Sequence, residues 1–444
     1  MDFTPHTDAD VARLLGALGL NQPADLFAHI PAELRHAPDS GLAPGRSEPE
    51  VMAHISGLGN EVASDLVCFA GGGIYDHFLP PVVRSLTMRP EFVTSYTPYQ
   101  SEVAQGVLQA LWEYQSMVSA ITGLAVANAS LYDGASAGIE AVNLAVAETG
   151  RNAVWVSRGL DPRTREVLAT FGRARDITIV EHPLLDGHTV WAEDASPPPA
   201  AIVFAQPNYL GVIEDYDGAV GVARRTGALA VASFDPMLLG VLRSPGQAGC
   251  DIAFAEGQPL GNPMSFGGPV LGVFATTRKL LRRIPGRLVG RTVDVSGEVA
   301  YTLTLRTREQ DIRREKASSN ICTNQTLNAV AAAIHLAWLG PRGLGEVGRQ
   351  SVAKAHHLAR MLDAVPGVRL AVGTRFGREF PVLLEAPVEA VIDGMADRGY
   401  LAGIPLAPDY PEFPGGLLVA VTERRSRAEL EGYAVALGEV MAGV

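Results

Sequence analysis

A chain of 444 residues, 47% hydrophobic and 19% charged, carries apolar material for one large core and a smaller one. Its formal net charge of −12 excludes a nucleic-acid surface, which needs a basic stripe to meet phosphate. Cys68, Cys250 and Cys322 are too widely separated for a disulfide framework or a CxxC metal site, so reduced thiols are expected. No apolar h-region follows the acidic first ten residues, and no run approaches the ~18 apolar residues of a membrane span. The expectation is a soluble cytoplasmic protein. Only Lys279, Lys316 and Lys354 are lysines among 36 basic residues, which shortens any search for a catalytic amine.

Residues 5–35 predict two short helices, the first capped by Thr7 or Asp8, with Val11, Leu14, Leu15 and Leu18 on one face and Gly19 as its stop. A Pro/Gly/Ser-rich linker (His36 to Glu48) leads to a helix from Pro49 to Asn60, and the whole reads as an arm laid over the main body or over a partner. Next comes FAGGGIYDHFLPPVV, a glycine-rich loop whose Tyr75, Asp76 and His77 are available to a site, although His77 alone reads more simply as structural. In TSYTPYQSEVAQG, Thr97 with Pro98 and Gln100 has the form of a capping box. Val103, Val107, Leu111, Tyr114, Val118 and Ile121 then predict one apolar face of a long helix ended by Gly123. Tyr96 and Tyr99 flank that helix mouth. In SLYDGASAGIEA, a helix opening at Asp133 or Gly134 exposes backbone N–H groups beside small residues, an arrangement that holds phosphate or simply permits tight packing.

From Asn152 strands and helices alternate. Strands are predicted at Ala153–Ser157, Ile177–Glu181, Ala201–Ala205, Leu229–Phe234, Ile252–Ala255 and Val270–Ala275, with helices at Pro162–Arg173 and Asp217–Thr226. Apolar runs without alternation imply a mostly parallel sheet buried on both faces, where ligands sit beyond the carboxyl ends of strands. Those ends carry Asn208 in a Gln-Pro-Asn turn, Asp235, Glu256 and Gln258. The segment Asp251 to Thr276 reads as two buried strands joined by a loop rich in glycine and proline, the kind that meets a ligand or another chain; it contains no lysine before Thr276. An arginine-rich extended stretch with eight arginines follows, either a salt-bridged surface or a site for an anion or acidic partner. Helices at Thr326–Leu339 and Gly348–Leu362 then lead to a tail with strands Val368–Ala371, Phe380–Leu384 and Leu417–Val421 and helices Val388–Arg398 and from Arg427. The expected division is a helical arm over 1–68, a large α/β domain over 69–344 and a small α/β domain over 345–444.

A phosphate-ready helix mouth, the Gln-Pro-Asn turn, Asp235 at a strand end and a small C-terminal α/β portion resemble the aspartate-aminotransferase-like, fold-type I pyridoxal phosphate enzymes. There the cofactor needs a lysine for its imine, an aspartate for the pyridinium nitrogen and a phosphate cradle. More closely, YTPYQSEVAQG, FAGGGIYDHFLPPVV, SLYDGASAGIEA, VSRGLDPRTREVL, AQPNYLGVIED, EGQPLGNPMSFGGP and DIRREKASSNICTNQ resemble the alpha-subunit, or N-terminal half, of the glycine cleavage system P-protein family, from about residue 4 to 440. The resemblance implies two homologous subunits, expected as an α2β2 assembly, in which subunit 2 carries pyridoxal phosphate on its lysine. Gln258 stands where that lysine would be, and an amide cannot form an imine. Gly134, Ala135, Ser136, Asn208, Asp235 and Gln258 are therefore expected to be a vestigial cofactor pocket, with no covalently held cofactor, no metal and no catalytic residue in this chain. Tyr96, Thr97, Tyr99, Gln100 and Glu102 are expected to line the shared active site. The implied reaction is glycine decarboxylation with aminomethyl transfer to the lipoyl arm of the H-protein. The alternatives are a freestanding scaffold or regulator, or an independent pyridoxal enzyme using a displaced lysine.

Overall fold

The computed structural model describes residues 5–35, 41–62, 65–192, 196–373 and 375–444. Its contacts divide the chain into two compact units, Met1–Ser64 and Asp65–Val444. In the first, α1 (Asp8–Ala17) is closed by a capping box: the Asp10 amide donates to Thr7 Oγ1 at 3.3 Å and the Thr7 amide to Asp10 Oδ2 at 3.1 Å. Gly19, at φ +68°, ends it. The second expected helix is instead two 3-10 turns, Pro23–Phe27 and Ala32–Leu34, because Pro31 has no N–H with which to continue the first. Residues 36–40 of the expected linker lie outside the described residues; α2 (Glu48–Glu61) follows it.

The second unit is built on seven strands: β1 (Val126–Ala127), β2 (Ala153–Ser157), β3 (Thr178–His182), β4 (Pro199–Gln206), β5 (Leu229–Phe234), β6 (Ile252–Glu256) and β7 (Gly272–Thr276). Their order is β1-β7-β6-β5-β4-β2-β3. Strands β2 to β6 run parallel to one another, as the uninterrupted apolar runs predict; every residue of β2 and β4 is buried. β7 is antiparallel to both β6 and β1, since the chain returns from β6 through a loop and not through a crossover helix. β1 went unpredicted: two residues are too few for a pattern.

Alternation assigns the faces. Ala253, Ala255, Val273 and Ala275 pack against Leu111 and Tyr114 of α3 (Gln105–Thr122), while Phe254, Phe274, Val203 and Val231 pack against Ala137 and Ala141 of α4 (Gly134–Thr149). α5 (Pro162–Ala174) adds Leu168 to the second face, and α6 (Tyr216–Thr226) covers Phe204 and Ala232. α3 begins at Gln105 and not at Thr97, so the expected Thr97 cap is not made and Val103 is exposed. The cause is Gln105, whose side-chain amide exchanges hydrogen bonds of 2.9 Å with the backbone of Tyr301. This draws residues 97–104 toward the hairpin β8 (Leu288–Val293) and β9 (Val299–Thr304), which occupies the predicted arginine-rich excursion. Gln115 does the same for Val289.

α7 (Thr326–Leu362) joins the two helices expected there across a kink at Gly340, φ +60°, before Pro341. The tail forms a four-stranded antiparallel sheet, β10 (Val368–Leu370), β11 (Glu379–Leu384), β12 (Ile404–Pro405) and β13 (Gly416–Ala420), in the order β10-β11-β13-β12. With α8 (Val388–Ala396) and α9 (Arg427–Gly443) it encloses Phe69, Leu358, Val391 and Tyr433. Arg378, just before β11, and Glu379, its first residue, line the same cavity as the ends of the parallel strands.

Candidate functional site

Beyond the carboxyl ends of β4, β5 and β6 lies a cavity of about 280 Å3. Gly134 and Ala135 at the mouth of α4, Asn208 after β4 and Asp235 after β5 all line it. Ser136 turns away into the helix cap: its amide and hydroxyl donate to Asp133 at 2.7 and 2.9 Å. Gln258 is 2% exposed and lies behind the wall. Its Oε1 accepts the Tyr75 amide at 3.0 Å, and its Nε2 donates to the carbonyls of Tyr75 (3.2 Å) and Asn262 (2.8 Å). The amide thus acts as a length of backbone that pins the glycine-rich loop 71–77 over the cavity.

The other lining groups are equally committed. Asn208 Oδ1 accepts the amides of Leu210 and Val212, and its Nδ2 donates to Gly187 O and Glu214, so it closes its own turn. Asp235 Oδ1 accepts the Met237 amide at 3.0 Å, and Oδ2 lies 2.7 Å from Arg378 Nη2, close but poorly aligned for a hydrogen bond. Glu256 accepts three amides: Gly134 at 3.0 Å, Gln258 at 2.8 Å and Leu271 at 3.1 Å. Burial still pushes its carboxyl up to about 7, against those hydrogen bonds. Glu379 is also pushed up to about 7 by burial, opposed by the Gly72 amide and the Tyr75 hydroxyl that it accepts at 2.6 Å each. Arg378 lies 3.4 Å over the Tyr75 ring and donates to His77, which in turn bonds Glu423 at 2.5 Å. Burial and then Arg378 keep His77 below its ordinary range, and Glu423, bonded to His77, lies at about 2 although burial alone would raise it.

Pyridoxal phosphate, the group the resemblance brings to such a pocket, does not fit these residues. No lysine lines the cavity, and Gln258 has no free amine and no free face. Two of the helix-mouth N–H groups that would cradle phosphate, those of Gly134 and Ser136, already bond Glu256 and Asp133, so an incoming dianion would meet two carboxylates. Asp235 is held by Arg378 and the Met237 amide. The lining is acidic as a whole, with Asp133, Asp161, Asp235, Glu256 and Glu379 against Arg163 and Arg378.

Tyr96, Thr97, Tyr99, Gln100 and Glu102 do not line the cavity. They form a separate surface turn before α3, with Tyr96 81% and Tyr99 47% exposed. Tyr99 is tethered by Arg287, whose Nη2 donates to its hydroxyl at 3.1 Å. Sequence reasoning passed over Arg378 and Glu379. The signal was a charged pair opening the apolar run Phe380–Leu384, where a solvent-exposed strand end would have been the ordinary reading.

The glycine cleavage system P-protein family matches residues 1–433. A relative from Prosthecochloris aestuarii named "Probable glycine dehydrogenase (decarboxylating) subunit 1" is 45% identical over 99% of this chain and 100% of its own length. Another of the same name from Moorella thermoacetica is 42% identical over the whole of both chains. A crystal structure of glycine decarboxylase (P-protein) of the glycine cleavage system, in inhibitor-bound form, superposes with a TM-score of 0.91 at 44% identity, covering 99% of this chain and 100% of that one. A sphingosine-1-phosphate lyase from Burkholderia pseudomallei (TM-score 0.62, 16% identity) and the cysteine desulfurase CsdA from Escherichia coli (0.62, 14%) share the fold alone. With the fold, the cavity and the full-length matches in agreement, this chain belongs to the glycine cleavage system P-protein family.

Proposed function

We propose that this chain is the cofactor-free subunit of a glycine-decarboxylating P-protein, active together with a homologous subunit 2. The observation that carries this reading is Gln258. Its amide occupies the place that the resemblance assigns to the imine lysine and is fully bonded to the backbone of Tyr75 and Asn262. A displaced lysine has no support: Lys279 is exposed and paired with Glu148, and Lys354 donates to the Glu423 carbonyl. Pyridoxal phosphate, held on the lysine of subunit 2, supplies the electron sink for loss of carbon dioxide from glycine. In this reading the chain contributes the Tyr96–Glu102 turn to the shared site, and the exposure of Tyr96 and Tyr99 supports it. The aminomethyl group then passes to the lipoyl arm of the H-protein. We take the α2β2 assembly and a cytoplasmic setting as part of the same reading.

The chain purified alone and dialysed after excess pyridoxal phosphate is expected to show no band near about 420 nm, where a lysine-bound cofactor absorbs. Co-expression with subunit 2 is expected to yield glycine–bicarbonate exchange that neither chain shows alone. A borohydride-reducible adduct on Lys279, Lys316 or Lys354 would overturn the reading.

A further inference from the structure

The arginine-rich segment contains a second constellation, apart from the cavity. Arg287, at the foot of β8, is 2% exposed, and its partners are neutral: the Tyr99 hydroxyl, Asn324 Oδ1 at 3.4 Å and the Cys322 carbonyl. Its Nε has no partner. Arg306 stands on the same ring, with guanidinium carbons of Arg306 and Arg287 at 4.9 and 5.4 Å from the Tyr99 centroid. Arg306 Nη2 pairs with Asp311 at 2.6 Å, yet its buried Nε is unpartnered. Arg308 donates from Nη1 to the Ile284 carbonyl and leaves Nε and Nη2 buried and unpartnered. Glu309 lies within the field of all three guanidiniums, but its buried Oε1 accepts no hydrogen bond. Burial pulls Arg308 below its ordinary range with only Glu309 opposing, as expected of a buried cation short of negative charge.

Buried N–H groups without acceptors are costly and call for a ligand. We infer that Arg287 and Arg306, stacked on the half-exposed Tyr99, and Arg308, which shares Glu309 with them, form an oxyanion site that takes a phosphate group. The open edge of Arg308 (Nε and Nη2) and the single free Nε–H groups of Arg287 and Arg306 match the several oxygens and double charge of phosphate better than the two oxygens of a carboxylate. The phosphate is either free in solution or an ester presented by a partner subunit across the exposed Tyr96–Tyr99 rim. That second source rests on the P-protein reading above; the site itself does not.

The test titrates inorganic phosphate into the full chain at constant ionic strength, with calorimetry and thermal melting as readouts. Saturable binding and a raised Tm are expected, with acetate ineffective. Arg308→Lys and Arg287→Lys keep charge but lose the fork, and each should weaken phosphate binding about tenfold or more. Glu309→Gln removes the competing carboxylate and should tighten it. If Glu309 were simply the structural counter-ion, the same substitution would lower Tm with no gain in phosphate affinity, and the proposal would fail. It fails equally if phosphate does no more than sodium chloride, or if acetate binds as well. Repeating the titration on the complex with subunit 2 separates the sources: a blocked site identifies a partner-held ester, an open one free phosphate. Exchange activity in that same complex reports on the P-protein reading independently.

Discussion

The side-chain amides of Gln105, Gln115, Gln206 and Gln258 cross-link backbone, and Gln258 does so at the position proposed above to have lost the imine lysine. Gln258→Ala leaves the Tyr75 amide and the Asn262 carbonyl without their partner. A loss of about 1–3 kcal/mol in denaturant unfolding is expected from the unsatisfied groups. Gln258→Lys should cost at least as much and still bind no pyridoxal phosphate, as absorbance would show, because Glu256 and Asp133 fill the cradle and Asp235 is paired. Titration at this scale has a definite sign. Glu379 lies at about 7 in the folded chain against an ordinary 4.5, so the stability from its tighter hold on the proton is full below pH 4.5 and is lost as pH rises through 7. Wild type should therefore lose stability relative to Glu379→Gln across that window, on the order of 1 kcal/mol per pH unit at most. Glu423, at about 2, has the opposite sign, and its contribution is lost only as pH falls below 4.5 toward 2.

At the scale of elements, the mouth of α4 is where two tendencies compete. Alanine is worth roughly 1 kcal/mol more than glycine within a helix. A Cβ on Gly134, however, would sit 2.8 Å from the Glu256 amide nitrogen and 3.0 Å from its Cα, neither of which can move without disturbing β6. Overpacking of that kind costs typically ~1–3 kcal/mol, so Gly134→Ala should be net destabilising by chemical denaturation. The glycine that looked ready for phosphate serves instead to bring helix and strand close enough for Glu256 to cap the helix. The hairpin β8–β9 follows the same logic. Its arginines could be counted in the sequence, but their gathering around Tyr99 depended on Gln105 and Gln115 docking the hairpin on α3.

For the whole molecule, the turn proposed to line the shared site is separate from the cavity. The Tyr96–Glu102 turn carries the exposed rings of Tyr96 and Tyr99, while the cavity is bordered by a loop pinned by Gln258, so the two should respond differently to substitution. Tyr96→Phe is expected to leave Tm within about 1–2 °C of wild type, as surface changes usually do, whereas Tyr99→Phe removes a hydrogen bond from the buried Arg287 and should lower Tm further. Both should lower glycine–bicarbonate exchange in the complex with subunit 2. Unchanged exchange in both variants would remove the turn from the shared site.

Much of this was legible before any coordinate. The long apolar runs placed β2 and β4 to β6 within a residue or two, because strands buried on both faces leave no other reading, and the partly exposed edge strand β3 was placed within one. The absence of a lysine at Gln258 was visible in the string itself, since it is a property of one side chain. What required the tertiary structure was everything that depends on partners distant in sequence. Thr97 has the form of a cap, but Gln105 bonds a strand 196 residues away and moves the helix start. Gly134 to Ser136 have the form of a phosphate cradle, but Glu256, 122 residues on, already occupies it. Side-chain identity is local and can be read in order; whether a donor is free or taken is decided only when the chain folds back on itself.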